Sequence, residues 1–324
     1  MTIQRRDFLK LAASAAILPT RSAFAQTYPA RPVRIVVGFA AGSSSDVSAR
    51  LIGKWLSDKL GQQFIVDNRP GAGSNIATQH VVKSDPDGYT LLFVNTANAV
   101  NATLYKDEVN YSFLRDITAV AGVSHVPAVM EVSNSLPVNS VPEFIAYAKA
   151  NGGKINMATI GPGTAQHLYG ALFMMMTGIE MVPVHYRGAS QAITDLIAGR
   201  VQVMFDIIVS SIGYVKSGQL KALAVTTAKT QDALPGVPTV GQFVPGYEAG
   251  GWQGLGAPAG TPPEVIDRLN KAVNAALADP AFKTLLNDLG GTPFPASPPE
   301  FGQFMTAQTE KWAKVIQAAN IKPI

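Results

Sequence analysis

Three short runs of this chain are rich in glycine and hydroxyl residues: Gly42-Ser43-Ser44-Ser45-Asp46, Gly71-Ala72-Gly73-Ser74-Asn75 and Gly161-Pro162-Gly163-Thr164. Each stands directly before a stretch with helical spacing. The start of a helix carries unpaired backbone N–H groups and a partial positive charge, which suit it to hold an anion. Glycine lets a ligand approach the main chain, and Ser or Thr adds donors. Three such starts facing one space would hold one or two carboxylates without an arginine. The competing reading for Ser45, Asp46, Ser74 and Thr164 is plain helix capping. For any single loop the residue types leave the two readings open.

Other polar residues fall near the same places. Asp206 closes the apolar run at 201–205, where its carboxylate would face the ligand space and accept from a hydroxyl or amine, or cap the next helix. Asn95, Thr96 and Asn98 follow the run at 89–94 and offer neutral donors. Phe39 is placed to pack on an apolar ligand body, although a core position is the commoner fate of an aromatic. His167 falls in the first turn of a helix, where it reaches either a ligand or a loop carbonyl. Arg50, Arg69 and Arg187 read as ties between loops.

Much chemistry is excluded. The absence of cysteine rules out disulfides, thiolate metal sites and cysteine nucleophiles. The four histidines have no metal-binding spacing and no HExxH motif occurs, so no metal is expected. There is no GxSxG elbow and no phosphate-binding loop ending in Lys-Ser or Lys-Thr. The run at 71–77 approaches a dinucleotide fingerprint, but its third small residue is out of place and it follows the second strand. No cofactor is expected, and no nucleophile–base pair marks an enzyme.

The elements that must position these residues alternate. Runs at 33–37, 64–66 and 89–94 read as strands, separated by helices over 47–60 and 75–83. Further strands are expected at 128–132, 155–159, 182–185, 201–205 and 222–226. Helices fall at 141–150, 165–177, 189–198 and 210–217. After a Pro- and Gly-rich stretch at 235–263, helices follow at 263–278, 281–289 and 298–319. The βαβ alternation predicts an α/β fold of two lobes, each a mostly parallel sheet flanked by helices, with the ligand cleft between them at the carboxyl ends of the strands. Residues 26–125 with 250–324 are expected to form one lobe and residues 126–249 the other.

The first 25 residues read as an address. Arg5-Arg6 with Phe8-Leu9-Lys10 precedes a short apolar run and the small-x-small sequence Ala23-Phe24-Ala25, the pattern of a cleaved export signal of the twin-arginine type. Arg5, Arg6, Lys10 and Arg21 against Asp7 account for most of the net charge of +4. The remainder is close to neutral, so nucleic acid is not an expected partner. A periplasmic location, with cleavage near Ala25 and no membrane span, follows.

The residues also carry a resemblance. Tyr28-Pro29-x-Arg31-Pro32-Val33-Arg34-Ile35-Val36-Val37, Asn68-Arg69-Pro70-Gly71-Ala72-Gly73, Asp87-Gly88-Tyr89-Thr90-Leu91-Leu92, Gly163-Thr164-x-x-His167-Leu168, Met204-Phe205-Asp206 and Trp252-x-Gly254-Leu255-x-Ala257-Pro258 occur in one order along nearly the whole chain. In this the chain resembles the Bug-type receptors of the tripartite tricarboxylate transporters. The resemblance implies a two-lobed periplasmic binding protein whose cleft closes over an organic acid. It also implies that the first two loops hold one carboxylate, while the loop at Thr164 and residues near Asp206 serve the second lobe. Carried over by position, it nominates Ser44, Ser45, Asp46, Ser74, Thr96, Thr164 and Asp206. The chain departs from the family pattern at Gly38 and Ala40, where prolines are common, and at Ser43 and Ser74, where glycines are.

The reading that results is a solute receptor, expected to be monomeric because hinge bending needs free lobes. It captures a small organic acid, with a dicarboxylate of four to six carbons expected, and delivers it to membrane transporter subunits. A receptor feeding a sensor kinase, and a periplasmic enzyme acting on a carboxylate, are the alternatives.

Overall fold

The computed structural model describes residues 28–323; the export signal read over residues 1–25 lies outside the described residues. Strand β1 (Val33–Val37), helix α1 (Ser44–Leu60), β2 (Phe64–Asn68), α2 (Asn75–Val82), β3 (Thr90–Asn95) and α3 (Thr96–Leu104) follow in order. The short α4 (Phe113–Asp116) leads into β4 (Ile117–Val126). The second sheet is built from β5 (Ala128–Ser133), α5 (Val141–Ala150), β6 (Asn156–Thr159), α6 (Ala165–Thr177), β7 (Val182–His185), α7 (Ala189–Ile197), β8 (Val203–Ile207), α8 (Ile208–Lys216) and β9 (Leu220–Val225). The chain closes with β10 (Gly251–Pro258), α9 (Pro263–Ala278), α10 (Pro280–Asp288), β11 (Thr292–Pro293) and α11 (Pro298–Ala318).

The strands form two sheets, ordered β11-β4-β10-β3-β1-β2 and β7-β6-β8-β5-β9. Both are mixed, which corrects the expectation of mostly parallel sheets. β1 runs parallel to β2 and β3, and β6 parallel to β7 and β8; β10 lies antiparallel between β3 and β4, and β5 antiparallel between β8 and β9. The cause is the path of the chain. It leaves the first sheet on β4 and returns on β10, and an outgoing strand paired with a returning one must be antiparallel. Only Pro127 separates β4 from β5, and Val126 is paired with Gly251 on the returning strand, so the two crossings lie side by side.

β10 occupies a stretch that reads as loop because of its glycines. Here glycine serves close approach instead of turning. A Cβ on Gly256 would stand 2.6 Å from Ile117 Cγ2, and one on Gly254 would stand 2.6 Å from the Ala121 carbonyl oxygen. The core has two large parts. One lies between the first sheet, α1 and α9; the other runs continuously from the first sheet to the second through α11, whose Trp312 packs 5.7 Å from the Tyr169 ring of α6.

Candidate functional site

Three helices begin at one cavity. α1 starts at Ser44, the residue after its N-cap Ser43; α3 starts at Thr96, capped by Asn95; α6 starts at Ala165 after Thr164. Ser44, Ser45, Asn95, Thr96, Thr164 and Gln166 line a cavity of about 370 Å³ between the two sheets, and no charged side chain lines it. Its apolar wall includes Phe39, Leu104, Ile160 and Trp252. A larger cavity of about 740 Å³ opens between residues 227–233, residues 287–295 and α11. Two lysines, an aspartate and a glutamate line it, a mixture that favours ligands of neither sign.

The hydroxyls of the smaller cavity are oriented by what they accept. Ser44 Oγ accepts from Gln253 Nε2 at 3.2 Å, Ser45 Oγ from Asn95 Nδ2 at 3.3 Å, and Thr96 Oγ1 from the Trp252 N–H at 3.0 Å. Each oxygen is thereby fixed while its own proton finds no acceptor among the described residues. A hydroxyl held in this way has one donor left to give. Thr164 differs. Its hydroxyl donates to the Gly161 carbonyl at 2.7 Å, so its side-chain proton is spent inside the loop, and only the main chain at the start of α6 remains free to donate.

The matching family model, that of the tripartite tricarboxylate transporter family receptors, covers residues 48–321. The chain belongs to this receptor family. It is 35% identical to Protein BugT of Bordetella pertussis over 301 residues, which cover 92% of each chain. Among solved structures it is similar to R. palustris Rpa4515 with adipate, at 36% identity and a TM-score of 0.76, covering 92% of this chain and all of that one. It is also similar to MatC from Rhodopseudomonas palustris with bound malate, at 29% identity and a TM-score of 0.72, covering 89% and 100%. The two-lobed α/β fold of the periplasmic solute-binding proteins is shared with these structures.

Five of the nominated residues do not line the receptor's cavity, and each has a physical reason. Asp46 is buried, accepting from the Gly42 N–H at 2.9 Å, Asn68 Nδ2 at 2.9 Å and Arg50 at 2.9 Å. Burial pushes its pKa up, and the hydrogen bonds from Arg50, Gly42 and Asn68 outweigh that and hold it below the ordinary value. It ties the first loop together instead of facing the ligand space. Asn98 turns inward: its Oδ1 accepts from the Asn95 N–H at 2.8 Å in a capping box, and its Nδ2 donates to Thr78 Oγ1 at 2.9 Å. His167 accepts from the Gly163 N–H at 3.2 Å, so it ties the loop through an amide and not through the carbonyl expected. Burial, and then neighbouring His185, bring its pKa down to about 4, so the ring is a neutral acceptor.

Ser74 is fully buried, with φ +83°. It sits against Gly38: a Cβ there would overlap the Ser74 side chain and stand 2.7 Å from its Cα. The residues at 38 and 74 are therefore coupled in space. Loss of a side chain at 38 leaves the room that a side chain at 74 occupies.

Asp206 is fully buried behind the wall. Its Oδ1 accepts from Gln166 Nε2 at 3.0 Å, and its Oδ2 lies 3.1 Å from Ser211 Oγ, which is also 2.8 Å from Glu131 Oε1. One hydroxyl cannot donate to two carboxylates, so one carboxyl must carry a proton. Burial first, and then the charge of Asp206, push Glu131 up to about 8. Burial raises Asp206 too, but hydrogen bonds from Gln166 and the Ile207 N–H oppose that, whereas Glu131 Oε2 has no partner among the described residues. Glu131 is thus the acid, its proton going to Ser211 Oγ and the Ser211 proton to Asp206.

Several lining residues escape the sequence reading. Gln166 and Tyr169 lie one turn apart on α6, and Trp252 and Gln253 on β10. The Tyr169 hydroxyl is buried with no hydrogen-bond partner, although its ring lines the cavity. Spacing three residues apart on a helix was the available signal for the first pair. The β10 pair had none, because the strand itself reads as loop. Among the described residues no group of three or more His, Asp or Glu is placed to hold a metal, and no helix is long and apolar enough to cross a membrane.

Proposed function

We propose that this receptor captures a small organic carboxylate, a dicarboxylate of four to six carbons, in the periplasm and delivers it to a tripartite tricarboxylate-type membrane transporter. It does so by binding alone. The observation that carries the reading is the set of three hydroxyls, on Ser44, Ser45 and Thr96, whose protons lack acceptors at the starts of two helices. A carboxylate placed there completes all three bonds and meets the positive ends of α1 and α3. The N-terminus of α6 serves the other end of the ligand, and the apolar wall suits a short carbon chain. The adipate and malate complexes of similar proteins support the ligand class. On this reading residues 26–125 with 250–324 close as one lobe onto residues 126–249 as the other, with the export signal removed near Ala25 and the working unit a monomer. Closure follows because a ligand touching both lobes favours the closed state.

A thermal-shift screen of the chain from Gln26 onward tests this. An acid at 100 times its dissociation constant stabilises the fold by ~2.7 kcal/mol, which raises the melting temperature by several degrees. No shift with any C3–C8 mono-, di- or tricarboxylate, using protein stripped of carried-over ligand, would count against a carboxylate receptor. Ser45→Ala is expected to weaken binding of the responding acid by about 1.5–3 kcal/mol, the usual worth of a hydrogen bond to a charged group.

Tyr169→Phe should raise stability and leave ligand affinity unchanged. It removes a buried hydroxyl that lacks a partner in the free receptor, raising its stability by about 1 kcal/mol. The hydroxyl is sealed from the cavity, so the affinity for each acid should stay that of the parent. A several-fold loss of affinity would show that the hydroxyl reaches the ligand.

A further inference from the structure

Gln166 stands in the first turn of α6 and lines the cavity, and its Nε2 donates to Asp206 Oδ1 at 3.0 Å. An ionised carboxylate only accepts, so this bond exists in one of the two orientations of the amide. Asp206 is held for the purpose from behind by Ser211, which is bonded in turn to Glu131. The Gln166 Oε1 is then the atom left over. It has no donor among the described residues and is not among the sealed polar atoms, so it meets the solvent of the cavity. One turn further along α6, the Tyr169 hydroxyl is sealed from the cavity and does not reach this oxygen's solvent. The second-sheet wall therefore offers one unpaired acceptor. The Ser44, Ser45 and Thr96 end offers donors only.

We propose that Asp206 is a specificity-determining positioning residue, which fixes the Gln166 amide so that an acceptor oxygen faces the ligand and the receptor favours acids carrying a hydroxyl over the same acids without one. A ligand hydroxyl donates to Gln166 Oε1 and satisfies it. A bare methylene leaves it unpaired, and a polar group left unpaired in a closed site is what gives such sites their discrimination. The inference rests on the carboxylate-receptor reading and names the ligand class within it. It also moves the role of Asp206 from direct contact to control of its neighbour.

The experiment is calorimetric titration of the stripped receptor with matched pairs, malate with succinate and 2-hydroxyadipate with adipate. The parent is expected to bind the hydroxy acid at least tenfold more tightly in the pair that fits. Asp206→Asn lets the side-chain amide at 206 donate to Gln166 Oε1, so the Gln166 amide turns over and presents its N–H to the cavity. The preference should then collapse towards one or reverse. Gln166→Leu removes the acceptor and keeps both buried carboxyls, though Asp206 loses the amide's hydrogen bond; it should abolish the preference while still binding the plain acid, which keeps the test decisive if D206N folds poorly. A purely structural role for Asp206 would weaken both members of a pair equally. A parent preference near one, or a preference unchanged in D206N and Q166L, overturns the inference while leaving the receptor reading intact. Failure of the parent to bind any acid of the wider screen removes the receptor reading itself, and this inference with it.

Discussion

Replacing Gly38 with alanine is expected to destabilise the receptor by about 2–3 kcal/mol, the cost of overpacking a rigid site, and Ser74→Gly in the same chain is expected to recover much of it, the overlap with the Ser74 side chain, while the close approach to the Cα at 74 remains. Gly38 does not adopt a positive φ, so its backbone would accept an L-residue. What it lacks is room. The new methyl would overlap the Ser74 side chain, and turning the hydroxyl aside brings no relief, because the Ser74 Cα itself would lie only 2.7 Å away. Ser74 is held where it is: its carbonyl accepts from Thr78 Oγ1 at 2.9 Å, and its own φ is +83°. That conformation costs an L-residue about 1–2 kcal/mol relative to glycine, so Ser74→Gly alone should be neutral or mildly stabilising. Urea denaturation of the parent, both single variants and the double variant closes the cycle. A coupling energy of about 2 kcal/mol is expected. Additive effects would mean that the two positions do not compete for the same space.

The second large effect is a dependence on pH. Glu131→Gln should leave stability within about 1 kcal/mol of the parent at pH 5 and exceed it at pH 9 by on the order of 3–5 kcal/mol. Burial and the neighbouring Asp206 charge raise the Glu131 pKa from its ordinary value of 4.5 to about 8. Between those two values the folded chain keeps a proton that the unfolded chain has released. Stability therefore falls as pH rises through this window, and the loss is complete above it. Glutamine keeps an N–H that can donate to Ser211 Oγ and has nothing to release, so its curve should be flat there. Denaturation midpoints at pH 5, 7 and 9 decide the matter. Parallel loss in both proteins would show that Glu131 does not hold the proton.

The residues at the mouths of the strands were legible because two signals coincide there. Ser44, Ser45 and Thr96 follow apolar runs and precede helical spacing, and all three line the cavity. What a sequence withholds is depth and direction. Asp46, Asn98 and Asp206 stand beside lining residues, but their side chains turn to loop amides, a cap and a buried serine. A carboxylate at a strand end reads the same whether it meets a ligand or its own chain. Thr164 shows the converse: it lines the cavity, yet its proton serves Gly161. The strand topology was half legible. The parallel βαβ units announce themselves through alternation, whereas β10 is hidden by Gly251, Gly254 and Gly256. With β10 hidden, Trp252 and Gln253 were lost to the site, and so was the antiparallel pairing of outgoing and returning strands.

A cavity walled without a single charged side chain casts little field beyond its own mouth. The partial charges at helix ends act within about one turn of the helix. An approaching acid is not drawn in from afar; it arrives by diffusion and is recognised only on contact. There is then no long-range attraction for salt to screen. On the carboxylate-receptor reading the lining itself gives the capture rate little dependence on ionic strength, and selection among acids is made by how long each one stays.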